Sequence, residues 1–220
     1  MAVKETDLYI LAQGVLEPEA REAIIQLRQQ LEAYINANPQ FQTSLVPLPA
    51  DPRAPLIVKE MLSAAQQAGV GPMAGVAGAM AAFVGAALLA FTPEVVVENG
   101  GDIFLKTGFE RTIGIFAGKS PLSMQVGIRV PVEKQPLGVC TSSATVGPSL
   151  SLGRADAVCV ISPSATLADA AATALGNMVQ GKGDIERVLE AGQKIPGVEG
   201  VVIIVDDGLG AWGGYELVKL

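Results

Sequence analysis

Residues 69–91 form a segment without a charged side chain, and this segment limits the folds open to the chain. It is long enough to span a bilayer, and Gly71, Gly75 and Gly78 resemble the small-residue contacts between membrane helices. Alanine and glycine, however, bury little apolar area, and the flanks lack the basic cluster and aromatic belt of a membrane span. The sequence therefore predicts a buried helix that packs closely on a sheet or another helix, and it predicts no membrane partner.

The composition bounds the size of the fold and the kinds of partner. With 220 residues and a hydrophobic content of 50%, the chain can form one domain over residues 1–220, with two intimately packed halves, 1–92 and 93–220, as the alternative. A net charge of -7 predicts no nucleic-acid partner, because gripping a phosphate backbone needs a basic face. The polar start of the chain lacks an apolar signal region, which favours a cytoplasmic protein.

The absence of histidine excludes several kinds of active site. One copy of this chain cannot build a Ser–His or Cys–His pair, nor a metal site with histidine ligands. Any general base must therefore be Asp, Glu, Lys, Tyr or a thiolate. The two cysteines, Cys140 and Cys159, are not spaced as a zinc motif, and so few cysteines suit a reducing compartment.

The pattern of apolar residues predicts helices first and strands later. Helices are expected over residues 18–38, from an N-cap at Asp51 to residue 68, and from residue 73 through the uncharged segment. Beyond residue 93 the chain alternates strands with tight turns, including Asn99-Gly100-Gly101, which is typical of a hairpin. A last strand is expected over residues 209–220. Tight turns favour antiparallel sheets with helices packed on a face, an α+β fold.

Two Gly-, Ser- and Thr-rich stretches have the composition of a binding site. Asn99-Gly100-Gly101-Asp102 would let a ligand approach the backbone closely, although the same residues also suit a simple hairpin turn. Cys140-Thr141-Ser142-Ser143 lies in residues 136–151, which are predicted to be a loop containing Gly147 and Pro148. Its hydroxyls and N–H groups could bind phosphate, or they could belong to a loop without that role.

Asp169 and Thr173 form the third candidate. They are four residues apart on a predicted helix, so they lie on one face and could offer two oxygens to Mg²⁺. The structural alternative is a capping box, Thr166-x-x-Asp169, with Thr173 bonding back to a helix carbonyl.

Two further hypotheses stay open at this point. Cys140 could act as a persulfide carrier or covalent nucleophile if loop N–H groups lower its pKa, although a packing role as a small, semi-buried residue is favoured. Alternatively, the protein could be a non-catalytic assembly module. The helix from Met73 would then be the contact of a homo-oligomer.

Taken in order, the three stretches resemble motifs of the ApbE-like superfamily of flavin transferases. The resemblance is carried by Val97-Glu-Asn-Gly-Gly-Asp-Ile103, by Cys140-Thr-Ser-Ser143 and, most specifically, by Leu167-Ala-Asp-Ala-Ala-Ala-Thr-Ala-Leu175. With Gly71-Pro-Met-Ala-Gly-Val-Ala-Gly78 included, the chain resembles more closely a conserved family of unassigned function within that superfamily. The resemblance implies a T-fold-like α+β fold, with antiparallel sheets and helices packed on one side.

The resemblance also implies roles for individual residues. Asp169 and Thr173 would bind Mg²⁺, which in the flavin transferases holds the pyrophosphate of FAD. The cofactor site would be formed by Asn99, Gly100, Gly101, Asp102, Thr141, Ser142 and Ser143. A small molecule or an acceptor protein would be the partner of a transferase-like enzyme. Flavin transfer itself is not implied, because the chain has no histidine and residues 144–153 replace a longer interval.

Overall fold

Six helices and twelve strands are found in the part of the chain that the computed structural model describes, residues 1–146 and 152–220. The helices are α1 (Glu17–Ala37), α2 (Gln40–Thr43), α3 (Leu56–Ala68), α4 (Val76–Leu88), α5 (Ala165–Met178) and α6 (Ile185–Gly192). The strands are β1 (Ala2–Val3), β2 (Thr6–Asp7), β3 (Tyr9–Ala12), β4 (Val95–Asn99), β5 (Asp102–Lys106), β6 (Arg111–Gly114), β7 (Val126–Val130), β8 (Leu137–Ser142), β9 (Ala157–Ser162), β10 (Gly200–Val205), β11 (Gly208–Gly213) and β12 (Leu217–Lys219). The predicted Gly147-Pro148 part of the loop lies outside the described residues.

A seven-stranded antiparallel sheet organises these elements, in the order β11-β10-β9-β8-β5-β4-β3. Alternate residues of its strands point to opposite faces, as the twofold period of a strand requires. One face packs on the helices through residues such as Val97, Val160 and Ile203. The other packs on the three-stranded sheet β12-β7-β6 through residues such as Leu137 and Ile161. The predicted α+β class, with antiparallel sheets and helices on one side, is confirmed.

The large sheet draws strands from both of the predicted halves. β3, from residues 1–92, pairs with β4, from residues 93–220, with Tyr9 opposite Glu98 and Ala12 opposite Val95. The helix-side core also combines residues from both segments. The two segments therefore share one sheet and one core.

The hairpin between β4 and β5 follows from two adjacent glycines. Asn99 pairs with Asp102 as the last rung of the ladder, so the loop consists of Gly100 and Gly101. Their φ angles are 64° and 103°, both in the region that glycine reaches without strain. A two-residue hairpin loop with positive φ at both positions matches strand twist. The predicted hairpin is confirmed, and Asp102 becomes the first residue of a buried strand.

The uncharged segment forms a buried helix, as predicted. A 3-10 turn, Pro72–Gly75, leads into α4, whose Gly78 packs directly on the first turn of α5. Across the described residues, no single helix is long and apolar enough to cross a membrane. Helix α3 and residues 72–88 would together be long and apolar enough, but the two are bent by 107° relative to each other. Gly75 and Gly78 face α5 of the same chain, so their presence does not require a contact between copies.

Three predicted boundaries are wrong. Helix α3 begins at Leu56 after Pro55, and Asp51 instead accepts a hydrogen bond from the N–H of Arg53 in a local turn. Residues 209–220 form two strands in different sheets, because the chain turns at Gly213, whose φ is 122°. The predicted loop over residues 136–151 contains β8, a central strand of the large sheet.

Candidate functional site

The three predicted stretches meet where the β4–β5 hairpin approaches the first turns of α4 and α5. Asp102 on β5 lies opposite Cys140 on β8. The amide Nδ2 of Asn99 donates to the carbonyl of Ala77 in α4 at 3.2 Å. The thiol of Cys140 donates to the carbonyl of Ala165, the first residue of α5, at 3.3 Å. The sheet thus brings together elements that are distant in sequence.

Asp169 is buried between α4 and α5 and binds the start of α4. Its Oδ2 accepts the N–H of Gly78 at 2.8 Å, in the first turn of that helix, where backbone N–H groups lack intrahelical partners. Burial raises the pKa of Asp169 to about 7, while the N–H groups of Gly78 and Ala77 oppose the shift. Asp169 therefore caps a helix other than its own.

The capping box proposed for α5 is wrong. The helix begins at Ala165, so the N-cap is Ser164, whose hydroxyl accepts the N–H of Leu167 at 3.2 Å. Thr166 is therefore already inside the helix, and the carboxylate of Asp169 points across to α4.

Asp102 is a second buried carboxylate in the same place. Its pKa is raised well above its usual range, first by burial and then by the charge of Asp169, while the thiol of Cys140 and the N–H of Thr141 oppose the shift. The Oδ1 atom of Asp102 is buried and has no hydrogen-bond partner within the described parts of the chain. Neither carboxylate forms an ion pair with a described basic side chain. Two carboxyl groups are thus buried together without a basic partner in the described chain, and their raised pKa values favour the protonated, uncharged forms.

Asp102, but not Asp169, is among the residues that line a cavity of about 870 Å³. Its walls come from the β1–β2 hairpin, α1, the start of α4 and the β4–β5 turn. The lining residues include Arg28, Leu31, Met73, Val76, Ala77, Asn99, Gly100 and Asp102. The volume lies within the range of small-molecule sites, about 300–1,000 Å³. Sequence reasoning missed the walls from α1 and β1–β2, because their alternating charges are typical of a solvated surface.

Comparison with known proteins identifies the family. A family model described as AbpE bacteria matches residues 1–213. The chain belongs to the AbpE bacteria family. A UPF0280 protein of Methanocella arvoryzae is 41% identical over 212 residues, covering 96% of this chain and 86% of the relative. A UPF0280 protein of Methanosphaerula palustris is 47% identical over 212 residues, covering 96% and 88%. The predicted membership of an ApbE-like family is confirmed.

Solved structures of ApbE proteins are more distant from this AbpE bacteria family member. The crystal structure of the ApbE protein of Thermotoga maritima is 18% identical, with a TM-score of 0.48. The match covers 64% of this chain and 50% of that chain, so the present chain spans half the length of that protein.

The oxygen donors of the site suit a Mg²⁺ ion that takes the rest of its shell from water and a bound ligand. Among the described residues, no group of three or more His, Cys, Asp or Glu side chains is placed to hold a metal. Mg²⁺ is commonly bound through one or two carboxylates, with water and substrate phosphate completing its shell. Two buried carboxylates with an unpartnered Oδ1 and no basic partner fit that arrangement. The donor set therefore fits an ion that a phosphate ligand shares.

The other predicted ligands lie close to this pair. Thr173 is half-buried one turn beyond Asp169, and its hydroxyl makes no hydrogen bond to another residue of the described chain. Thr141 and Ser142 are the last residues of β8, and the side chain of Ser142 faces Gly176 of α5. Ser143 follows the strand, and its hydroxyl accepts the N–H groups of Thr145 and Val146. Roles for these residues in metal or cofactor binding remain predictions.

Cys140 occupies a different environment from the one predicted. It lies in β8 rather than in a loop, and its side chain is fully buried. Burial, followed by the charges of Asp102 and Asp169, raises the pKa of its thiol well above the usual range. The lowered pKa on which the thiol hypothesis depends is therefore not found, because burial and the neighbouring acidic groups raise the pKa instead. Burial also raises the pKa of Cys159, to about 12.

Both thiols should resist alkylation in the native protein. We expect reaction with iodoacetamide at pH 7.5 to be at least about 100-fold slower than for free cysteine, because each unit of pKa increase cuts the thiolate fraction tenfold and burial blocks access. Mass spectrometry over time measures the labelling, and unfolding in guanidinium provides the control in which both thiols react. Rapid, selective labelling of native Cys140 would contradict this expectation.

Proposed function

We propose that the protein binds a flavin or another nucleotide diphosphate together with Mg²⁺. The observation that carries this proposal is the buried pair Asp102 and Asp169, which lacks a basic partner in the described chain and of which Asp102 lines a cavity of ligand size. Ionising both carboxyls in this buried place costs several kcal/mol, on the order of the penalty for a buried ion, and this cost is what raises their pKa values. A divalent cation would offset that cost and bring a diphosphate with it.

Each predicted residue has a distinct part in the proposed complex. Asp169 and Thr173 hold the ion, and Mg²⁺ when bound neutralises the diphosphate. Gly100 and Gly101 keep the backbone of the β4–β5 turn open to the ligand, since neither carries a side chain. Thr141, Ser142 and Ser143 offer hydroxyl groups at the end of β8. The role of Asn99 is to hold this turn against α4 through the carbonyl of Ala77.

The proposed activity is transferase-like, in the cytoplasm, with a small molecule or another protein as acceptor. Membership of an ApbE-like family and the resemblance of the three motifs to those of flavin transferases support this part of the proposal. Thiol chemistry at Cys140 is not proposed, because the side chain is buried and its pKa is raised.

Loss of Asp169 should abolish Mg²⁺-dependent binding. We expect FAD to bind saturably in the presence of Mg²⁺ and Asp169→Ala to weaken binding by at least about 100-fold, since charged interactions at buried sites contribute several kcal/mol. Isothermal titration calorimetry with and without EDTA measures the effect, and Glu190→Ala, at an exposed position on α6, is the matched control.

Asp169 also caps α4, so a second variant separates binding from folding. Thr173→Val keeps the shape of a half-buried side chain and removes the hydroxyl. It should weaken Mg²⁺-dependent FAD binding by about tenfold, the effect of one lost ligand or hydrogen bond. Binding that is independent of Mg²⁺, or unchanged in both variants, would refute the proposed function.

A further inference from the structure

The outer edge of β3 and of the strand before it is covered only in part by the chain's own first strand. The N–H of Leu8 donates to the carbonyl of Met1 at 2.8 Å, and the amino group of Met1 donates to the carbonyl of Leu8. Together with the pairing of β1 and β2, these bonds cover the edge of residues 6–8. Alongside residues 9–12, the described part of the chain places no further strand outside β3.

Two residues of β3 present unpaired backbone groups at this open edge. The peptide groups of successive residues in a strand point to opposite sides. Leu8 bonds to Met1, whereas Tyr9 belongs to the ladder with β4. By this alternation the N–H and C=O groups of Ile10 and Ala12 point outward, and no turn or loop hydrogen bond within the described residues reaches them.

The side chains at this edge lack the features that usually keep sheet edges apart. Residues 8–16 contain no charged residue and no proline, although the chain carries a net charge of -7. Tyr9, Leu11 and Val15 are 62%, 51% and 87% exposed, and they line a groove of about 540 Å³ between β3 and the start of α1. Natural proteins usually protect a sheet edge with charges, proline or a covering segment. This edge is therefore suited to pair with another strand.

The free edge is complementary to itself in one register. A twofold axis at Leu11 places Ile10 of each copy opposite Ala12 of the other, and both such pairs can exchange two hydrogen bonds. If Ile10 instead lay opposite its own copy, Ala12 would face Leu8, whose edge β1 already occupies. If Ala12 lay opposite its own copy, Ile10 would face Gly14, where the strand has ended and φ is 106°.

The same limits favour a second copy of this chain over an unrelated extended peptide. Because β1 closes one end of the free edge at Leu8, an occupant can pair along only the 4 residues of β3 and must then leave the sheet. A copy of β3 has this length, and its chain bends away at Gln13 and Gly14. The absence of charge over residues 8–16 also lets two acidic chains approach here.

We propose that two copies of this chain pair through β3, antiparallel about a twofold axis at Leu11, so that their two seven-stranded sheets become one. The peptide groups of Leu11 face β4, so the two Leu11 residues form a non-hydrogen-bonded pair, the kind in which opposite side chains lie closest. Both lie on the face away from the helices, since Ile10 packs on the helix side. So small an interface predicts a dissociation constant on the order of 10 µM.

Sedimentation velocity of the full chain tests the dimer. From about tenfold below to tenfold above that dissociation constant, we expect the mass to rise from 22.6 kDa towards twice that value. Leu11→Lys places like charges opposite each other at the axis and should weaken dimerisation at least about tenfold. The matched control is Leu209→Lys, on the other edge strand β11, where the leucine is 39% exposed. It should change the dissociation constant by less than about twofold, because it leaves β3 unaltered.

Disulfide formation tests the register. Under mild oxidation Leu11→Cys should crosslink two copies, because the spacing of a non-hydrogen-bonded pair approaches that of a disulfide. Tyr9→Cys should not crosslink, since the two Tyr9 residues would lie four residues apart along the paired strands, about 13 Å. Electrophoresis without reductant measures the product, and the native Cys140 and Cys159 are both buried.

Ala12→Pro separates pairing from folding. Proline is tolerated on an edge strand where the lost N–H faces outward, so the monomer should keep its circular dichroism spectrum while dimerisation is lost. Hydrogen exchange gives a second measurement. In one copy alone the amides of Ile10 and Ala12 exchange readily, and in the dimer they should be protected at least about tenfold.

The outcomes decide the proposal in either direction. A monomer at every concentration overturns it, and so does a dimer that Leu11→Lys leaves intact. A dimer that is lost in Leu209→Lys would lie at β11 and would also overturn it. Crosslinking of Tyr9→Cys that is faster than that of Leu11→Cys would exclude the register. If Leu11→Lys does not fold, the disulfide and Ala12→Pro decide.

Discussion

Replacing Gly78 with alanine should destabilise the protein by about 2–3 kcal/mol or more, the cost of forcing extra volume into a packed core. An added Cβ would overlap the carbonyl oxygen of Ala165 and lie 2.8 Å from the Cβ of Asp169. These atoms belong to α5, which is packed on the sheet and cannot move away cheaply. The same change would also disturb the N–H that Asp169 accepts.

The sign of this effect is informative, because alanine normally stabilises a helix by about 1 kcal/mol relative to glycine. Urea unfolding followed by circular dichroism measures the loss. Gly183→Ala is the control, since a Cβ there would meet nothing within 4 Å. A stabilised Gly78→Ala protein would show that α4 and α5 are not in close contact.

The unliganded protein should lose stability on going from about pH 4 to about pH 7 because of Asp169. Its pKa is raised from 3.8 to about 7 on folding, so the folded state binds more protons than the unfolded state between these values. Stability that depends on such a group is complete below the unfolded pKa and is lost as the pH rises through the folded pKa. The shift corresponds to a loss of up to about 4 kcal/mol. The raised pKa of Asp102 acts in the same direction.

Exposed acids oppose this trend, so the measurement must be a comparison. The pKa values of Glu5, Glu32, Asp184 and Asp207 are lowered by hydrogen bonds, and their contributions are lost as the pH falls. Asp169→Asn removes the buried ionisation and retains an acceptor for Gly78. Between pH 5 and pH 8 we expect the free energy of unfolding of the wild type to fall by several kcal/mol relative to that of this variant, on the order expected from the raised pKa of Asp169. A constant difference across that range would contradict the assignment.

Magnesium provides an independent check on the same titration. A ligand that binds only the folded, ionised site stabilises it in proportion to its affinity. Saturating Mg²⁺ with FAD should therefore reduce the loss of wild-type stability at high pH and leave Asp169→Asn unchanged. Both measurements, with and without Mg²⁺ and FAD, are made at the same ionic strength, so that the screening of surface charges is equal.

Features controlled by neighbouring residues could be predicted from the sequence. The β4–β5 hairpin follows from the positive φ available to Gly100 and Gly101, and α1 follows from helical spacing of its apolar residues. β8 could not be predicted, because Gly138 and Ser142 are poor indicators of a strand. Gly138 is required there by the close approach of Ala165, and β5 and β9 satisfy the backbone on both sides.

The candidate site likewise combines features that the sequence could predict with features that depend on tertiary packing. The sequence identified Asp169 but not its partner, because the N–H of Gly78 lies 91 residues away in the chain. Asp102 could be placed after the turn, yet its burial beside Asp169 depends on how β5, β8 and α5 pack. Arg28 gave no signal at all, since one charged residue among many on α1 is typical of a solvated helix face. Only tertiary packing turns it into part of a cavity wall.

The position of β3 at the edge of the large sheet has a consequence for how the chain folds. β3 ends at Ala12 and its neighbour β4 begins at Val95, so all the helices of the N-terminal segment intervene between two hydrogen-bonded strands. Closing so long a loop is entropically costly, and contacts of this separation form slowly. We therefore expect β3 to dock late, after β4 and β5 have paired through their short turn. Its amides should also exchange with solvent more readily than those of central β8 and β9, because β3 has a strand on one side only. The β1–β2 wall of the cavity immediately precedes β3, so this wall would be completed among the last parts of the molecule.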